Sequence, residues 1–208
     1  MENKRRKVID YIAKISIFGS LAILLYMVPG FQFSLPFTPT FLKIHLDEIP
    51  VLLAGFAYGT PMAFFLILIK SLFKLITDIP ATAGVGVLAD FIYGCAFIIP
   101  ATFIYNKKRN YTGVTIAIIV GVVSNLIFSC IVGLYLIFPL YGFIYGNSAI
   151  VGMFQVFDPS IKSITDIKIS YEFLLPFNFI KDAIVVLSAL LIYKPMRTLI
   201  EKVRKSEK

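Results

Sequence analysis

The stretch "LLPFNFIKDAIVVL" runs from Leu174 to Leu187 and places three polar side chains inside an apolar segment. These side chains belong to Asn178, Lys181 and Asp182. In a soluble protein they would lie on the exposed face of an amphipathic helix. In a bilayer, a buried ionisable side chain is costly and needs a partner or a water-filled cavity. Whether this segment lies in a soluble protein or in a bilayer therefore decides which class of fold the sequence predicts.

The composition of the chain indicates a bilayer. The 208 residues are 58% hydrophobic and only 15% charged, and the mean hydropathy is +0.85. Soluble domains contain about 25% charged residues. Several apolar runs are long enough to cross the ~30 Å hydrocarbon core. The sequence therefore predicts an all-α integral membrane protein in which residues 1–208 form a single membrane domain.

The net charge of +8 comes from basic residues that cluster at the ends of apolar runs. Four precede the first run, three separate two later runs, and six follow the last run. They are Lys4, Arg5, Arg6 and Lys7; Lys107, Lys108 and Arg109; and Lys194, Arg197, Lys202, Arg204, Lys205 and Lys208. Flanking clusters of this kind are typical of the positive-inside rule and not of nucleic-acid binding.

The same rule predicts the number of spans. Residues 49–76 form an apolar run with a "YGTP" turn at Tyr58–Pro61, so they could form one kinked helix or a hairpin of two helices. A single helix would give five spans and place two basic clusters on opposite sides of the membrane. A hairpin gives six spans and places all three clusters inside. We therefore expect both termini in the cytoplasm and spans near residues 8–28, 47–59, 61–77, 84–105, 112–138 and 173–193.

Four polar residues are predicted to share one depth in the outer half of the membrane. Asn178 and Lys181 lie roughly 8–12 Å below the outer end of the last span. Asp90 lies about as deep in the fourth span, and Glu48 lies near the outer end of the second. Their common depth predicts a polar pocket that opens to the outside. The alternative is that Lys181 pairs with Asp90 or Asp182 and holds two helices together.

Other polar residues fit structural roles. Lys70, Lys74 and Asp78 form a stripe at i, i+4 and i+8 that snorkelling and an i,i+4 pair would explain. His45 has no metal-binding companion nearby and fits a solvated or hydrogen-bonded loop residue. The long outer connection, residues 139–172, could be a lid or merely a tolerated loop.

The sequence lacks the motifs of common membrane enzymes. It contains no Gly-Lys dipeptide and therefore no P-loop, and it contains no H-E-x-x-H or G-x-S-x-G motif. Cys95 and Cys130 match no metal or disulfide spacing and are expected to pack in the interior. We therefore expect a binding protein, with no enzymatic activity, metal or cofactor of its own.

Four segments carry a resemblance to a known family. They are "FLKIHLDEIPVLLAGFAYGTPMAFFLILIKSLFKL" from Phe41, "GVGVLADFIYGCAFIIPATFIYNKKR" from Gly84, "FPLY" from Phe138 and "LPFNFIKDAIVVLSALLIYKPM" from Leu175. With the six-span layout, they resemble the substrate-binding S components of energy-coupling factor (ECF) vitamin transporters. Within that family, the chain is most similar to the riboflavin-specific members.

The resemblance implies a role for particular residues. It implies that Asn178 and Lys181 bind the vitamin, that Glu48 is the acidic residue of the second span, and that Phe41 and Leu42 line the flavin ring. The departures from the family pattern are His45, where an acidic residue is common, Asp90, where Asn is usual, and Asp47, where a small hydroxyl residue is usual.

The resemblance also implies partners in the bacterial cell membrane. Small residues crowd one side of the first span and would let another helix approach closely. In the family this side docks on a transmembrane coupling subunit, which implies that role for Ser16 and Ser20. Two ATPases on other chains would supply the energy.

Three alternatives remain open on the sequence alone. The chain could be an S component for another flavin or vitamin. It could be a stand-alone secondary transporter in which Asp90 and Lys181 relay protons or ions, although no inverted repeat is visible. It could also be a membrane scaffold without a ligand.

The predicted topology can be tested by cysteine labelling in intact cells. In a background without Cys95 and Cys130, a cysteine at position 108 should be protected from a membrane-impermeant maleimide, because this basic cluster is predicted to face the cytoplasm. A cysteine at position 162, in the predicted outer loop, should be labelled. Labelling of position 108 from outside would contradict the six-span topology.

Overall fold

Helices form most of the computed structural model, which describes residues 2–206 and, within that range, all side chains except those of residues 2–4, 7, 29, 78–82 and 193–206. The eight α-helices are α1 (Glu2–Met27), α2 (Glu48–Tyr58), α3 (Thr60–Thr82), α4 (Val85–Lys107), α5 (Tyr111–Val132), α6 (Phe138–Tyr145), α7 (Asn147–Gln155) and α8 (Leu175–Ser206). Two π-helical segments, Gly133–Ile137 and Ile169–Leu174, join α5 to α6 and lead into α8.

Five helical segments are long and apolar enough to cross a membrane. They are Val8–Met27, Thr60–Thr77, Val85–Lys107, Tyr111–Tyr145 and Ile169–Ile192. The remaining apolar helix, α2, has 11 residues and spans about 16 Å, which is shorter than the hydrocarbon core. The protein is thus a multi-pass membrane protein with a helix at each predicted position, while the count of six spans and the orientation stay predictions.

The apolar run at residues 49–76, for which the charge rule predicts a hairpin, is broken by Gly59. Its φ of +107° lies in the region that favours glycine, and it separates α2 from α3. A Cβ placed on Gly55 would lie only 2.9 Å from Cβ of Ala63. In one continuous helix these residues would lie about 12 Å apart along the axis. The chain therefore reverses at Gly59, which excludes a single kinked helix here.

The interior contains two apolar clusters. The larger one joins α1–α5 and α8 around buried residues such as Leu52, Leu66, Phe97 and Val185. The smaller one joins the start of α4 to the two π-helical segments, α6 and α7, around Phe138 and other aromatic residues.

Two regions differ from the sequence prediction. Residues 139–172 are not mainly a loop, because the helical segment that starts at Tyr111 continues to Tyr145 and α7 follows after Gly146. The helix therefore continues beyond residue 138, where the fifth span is predicted to end. The all-α prediction also needs an addition, since β1 (Gln32–Ser34) and β2 (Lys43–His45) form an antiparallel pair in the predicted extended loop.

The contact between α4 and α5 depends on a glycine and gives a stability prediction. A Cβ on Gly121 would lie 2.7 Å from the carbonyl oxygen of Phe97 and 2.9 Å from Cβ of Ala101. Gly121→Ala should therefore destabilise the protein by about 1–3 kcal/mol through overpacking. Thermal unfolding in detergent would show a lower midpoint.

Gly152→Ala is the matched control. A Cβ there meets no atom within 4 Å, and the substitution in α7 should be neutral or stabilising by up to about 1 kcal/mol. Equal midpoints for the two variants would show that α4 and α5 do not approach each other this closely.

Candidate functional site

A cavity of 410 Å³ opens between α1, the β-hairpin, the start of α4, the π–α6 segment and α8. Its volume falls in the range of small-molecule sites, about 300–1,000 Å³. The lining residues are Tyr26, Gln32, Thr40, Phe41, Leu42, Lys43, His45, Gly86, Ala89, Asp90, Tyr93, Ile137, Phe138, Tyr141, Leu174, Phe177, Asn178 and Lys181. Five of the six sequence-predicted binding residues are among them. The sixth, Glu48, lies behind the wall and contacts Lys181.

Asn178 and Lys181 form the polar wall on α8. They are three residues apart and therefore share one face of the helix. Lys181 Nζ lies 2.7 Å from Glu48 Oε1, and Asn178 Nδ2 donates a hydrogen bond of 2.9 Å to the carbonyl of Leu174. Asn178 Oδ1 and Glu48 Oε2 are buried and have no hydrogen-bond partner within the described residues. Buried acceptors without partners are costly, so a bound hydrogen-bond donor would stabilise this wall.

The ion pair of Lys181 differs from the alternative that the sequence analysis considered for this residue. Lys181 pairs with Glu48 and not with Asp90 or Asp182. Asp182 accepts hydrogen bonds of 3.0 and 2.9 Å from Nδ2 of Asn125. Consecutive helical residues point about 100° apart, so Lys181 faces α2 while Asp182 faces α5.

A second network of buried charges lies behind the cavity. Lys70 and Lys74 contact Asp47 at 2.9 and 2.8 Å, and Lys74 contacts Asp90 at 2.6 Å. Each lysine is only 1% exposed. The prediction of snorkelling lysines was therefore wrong, because the side chains of Lys70 and Lys74 point to the starts of α2 and α4. The side chain of Asp78, the third member of the stripe, lies outside the described side chains.

His45 lies against the cavity and not in solvent. Its ring centroid is 5.1 Å from that of Tyr26, and Lys74 Nζ lies 4.1 Å from the Tyr26 ring. Burial lowers the pKa of His45 below its usual value, so its imidazole is neutral at pH 7. Its Nδ1 is buried without a hydrogen-bond partner in the part of the chain that the structure describes.

Aromatic side chains form the opposite wall. The ring of Phe41 lies 6.5 Å from Phe138, 5.6 Å from Tyr141 and 6.0 Å from Phe154, all between centroids. Edge and tilted contacts at these distances are favourable and leave ring surface available to an aromatic ligand. The family resemblance implied two of the cavity residues on this side, Phe41 and Leu42. The aromatic cavity residues Tyr26, Tyr93, Phe138, Tyr141 and Phe177 were not predicted, although "FPLY" was one of the resembling segments.

The predicted docking residues lie on the outside of α1. Ser16 and Ser20 are exposed, and their hydroxyls donate hydrogen bonds to the carbonyls of Ile12 and Ile17 in the same helix. Gly19, between them, is buried, and a Cβ there would lie 3.6 Å from Leu66 of α3. Part of the small-residue face therefore packs inside the molecule, while the two serines point away from it.

The site has the form of a binding pocket with a charged wall and an aromatic wall. Within the described residues, no group of three or more His, Cys, Asp or Glu side chains could hold a metal ion. Cys95 and Cys130 are free, half-buried thiols.

The family of ECF transporter substrate-specific components matches residues 10–193. The chain therefore belongs to this family, whose members are transport components. The solved structure of the S component of a bacterial ECF transporter covers 96% of this chain and 99% of its own, with a TM-score of 0.71 at 23% identity. The two proteins share a fold.

Curated relatives extend over nearly the whole chain. The riboflavin transporter RibU of Staphylococcus aureus is 23% identical over 203 residues, which cover 98% of this chain and 100% of the relative. The riboflavin transporter FmnP of Bacillus subtilis is 27% identical over 191 residues, which cover 91% and 93% of the two chains.

The network around Asp47 gives a second stability prediction. Asp47→Ala leaves Lys70 without its carboxylate and Lys74 with only Asp90, so it should destabilise the protein by about 3–5 kcal/mol. Asp10→Ala is the control, because Asp10 is 57% exposed and its i,i+4 pair with Lys14 should contribute about 0.5 kcal/mol or less. Thermal unfolding in detergent would compare them. Similar midpoints for both variants would mean that the buried lysines do not depend on Asp47.

Proposed function

We propose that the chain is the riboflavin-binding S component of an ATP-driven ECF importer in the bacterial cell membrane. The observation that carries the proposal is the amphipathic cavity, in which Asn178 and Lys181 face an aromatic wall around Phe41. The names of the two relatives support riboflavin as the ligand.

The chemistry of the two walls matches the ligand. Riboflavin has a flat aromatic ring system, a pyrimidine edge with hydrogen-bond donors and acceptors, and an uncharged ribityl chain. The aromatic wall would cover the ring face, and Phe41 and Leu42 would contact it. Lys181 would donate to ligand acceptors, and Asn178 Oδ1 would accept from a ligand donor. Asp90 would contact the polar end of the ligand, and Glu48 would hold Lys181 in position.

Transport would require other chains. In the proposed six-span topology both termini are cytoplasmic and the cavity opens to the outside. Ser16 and Ser20 lie on an outward-facing side of α1, which suits contact with a transmembrane coupling subunit. Two ATPase subunits would then supply the energy for delivery of the vitamin.

A proton or ion relay through Asp90 and Lys181 receives no support from the geometry. Each of the two residues has its own partner, Lys74 for Asp90 and Glu48 for Lys181. An ion-coupled secondary transporter therefore has no specific observation in its favour.

Asn178 provides the direct test of the binding site. Asn178→Ala removes a buried amide from the cavity wall and should weaken riboflavin binding by roughly 5- to 150-fold, since an unpaired buried group costs about 1–3 kcal/mol. Quenching of flavin fluorescence by the purified protein would measure the affinity. The neighbouring Phe179→Ala is the control, because Phe179 is 55% exposed and does not line the cavity.

The test of Lys181 needs a double variant, because removing the Lys181 side chain alone leaves Glu48 buried and unpaired. The double variant Lys181→Met with Glu48→Gln removes both charges together, so it should fold better than Lys181→Met alone and still bind riboflavin weakly. If Asn178→Ala and the double variant both bind riboflavin normally, this wall does not contact the vitamin. If the unmodified protein binds another flavin or vitamin but not riboflavin, the site is correct and the ligand is not.

A further inference from the structure

A second concave surface lies near the C-terminal end of α4, whereas the cavity described above lies near its N-terminal end. It is an open groove of 780 Å³ whose lining includes Phe64, Cys95, Ile99, Phe103, Asn106 and Arg109. Asp90 and Asn106 mark the two sites on α4, and the 16 residues between them correspond to about 24 Å along the helix. The groove is therefore separate from the proposed vitamin site and does not depend on the identity of the vitamin.

The walls of the groove are apolar and belong to two candidate spans. Phe64 comes from the start of α3, while Ile99 and Phe103 come from the second half of α4. Phe64 and Phe103 are 42% and 52% exposed. Both helices are long and apolar enough to cross a membrane, and an exposed apolar groove between two such spans would face the hydrocarbon region.

One end of the groove is positively charged. Arg109 lines the groove, and Lys107 and Lys108 adjoin it at the end of α4. Lys107 Nζ lies 4.2 Å from the centre of the Phe103 ring, so its charge is directly beside the apolar wall. No acidic side chain is present among the described residues that line the groove.

Hydrogen bonds hold the charged end in place. Arg109 Nη2 donates to Asn106 Oδ1 at 2.7 Å. Asn106 Nδ2 in turn donates to the carbonyl of Gly55 at 3.3 Å. The Arg109 guanidinium is thus connected to α2 through the side chain of Asn106. This connection holds the positive charge at one end of the groove.

We propose that this groove binds an anionic phospholipid of the surrounding bilayer. One acyl chain would lie along Phe64, Ile99 and Phe103, and the headgroup phosphate would contact Arg109 and Lys107. Basic pockets between transmembrane helices at the cytoplasmic end bind acidic headgroups by this combination of charge and apolar contact. A phospholipid fits better than a protein partner, because the charges lie at one end of an apolar channel that runs along two spans.

Cys95 allows the proposal to be tested on the full chain. It lines the groove, whereas Cys130 is a similarly half-buried thiol elsewhere and serves as an internal control. The detergent-purified protein is titrated with dioleoyl phosphatidylglycerol or dioleoyl phosphatidylcholine, and alkylation by N-ethylmaleimide is followed at both cysteines by peptide mass spectrometry. The anionic lipid should slow alkylation of Cys95 at lower concentrations than the neutral lipid, with no change at Cys130.

Charge variants identify the headgroup contact. Arg109→Gln and Lys107→Gln should each raise the phosphatidylglycerol concentration needed for protection about fivefold, since one basic residue contributes about a factor of five near an anionic lipid. Lys162→Gln is the matched control, because Lys162 is exposed and lies outside the groove. Native mass spectrometry, which counts bound phosphatidylglycerol, gives a second readout that does not depend on the reactivity of Cys95.

Three results would overturn the proposal. The first is equal protection of Cys95 by the neutral and the anionic lipid. The second is an unchanged number of bound phosphatidylglycerol molecules in the Arg109 and Lys107 variants. The third is protection of Cys95 by a purified coupling subunit but not by phosphatidylglycerol, which would assign the groove to a protein partner.

Discussion

The neutralisation of three buried lysines is the constraint on which the rest of the structure depends. Lys70, Lys74 and Lys181 lie in segments that are long and apolar enough to cross a membrane, where an unpaired charge is costly. Asp47 and Glu48 are consecutive residues, yet Asp47 contacts the two lysines of α3 while Glu48 contacts the lysine of α8. The start of α2 therefore connects two helices, and the contact between Lys74 and Asp90 adds α4. The short helix α2 determines how these helices meet around the cavity.

Irregular helix geometry gives the cavity its second wall. Ile137 and Leu174 both line the cavity, and each ends one of the two π-helical segments. These segments meet closely, since a Cβ on Gly133 would lie 2.5 Å from Cδ1 of Leu174. π-helical turns are rare in proteins overall, but those that occur are frequently found at functional sites. Here they lead into α6 and α8, which carry Phe138 and Phe177 to the cavity.

The sequence predicts the level of a residue along its helix better than it predicts which residues its side chain contacts. Depth follows from the 1.5 Å rise of a helix, so the common level of Asn178, Lys181 and Asp90 could be predicted before any tertiary structure was considered. Partners depend on how each helix is rotated about its axis, and tertiary packing determines this rotation. The apolar run lengths likewise predicted where helices occur. They could not show that the helical segment from Tyr111 continues to Tyr145, because Pro139 and Gly142 are typical turn residues.

The charge balance of the site also limits what it can hold. Lys181 offers hydrogen-bond donors to the cavity, but Glu48 already compensates its charge. Asp90 is compensated in the same way by Lys74. The polar wall thus presents hydrogen-bonding groups with little uncompensated charge, which suits a polar but uncharged ligand. A site that recognised a charged group would gain from an unpaired ion, but keeping that ion buried in the empty protein would be costly. Pairing the charges within the wall avoids this cost, and Asn178 Oδ1 remains a buried acceptor without a partner among the described residues.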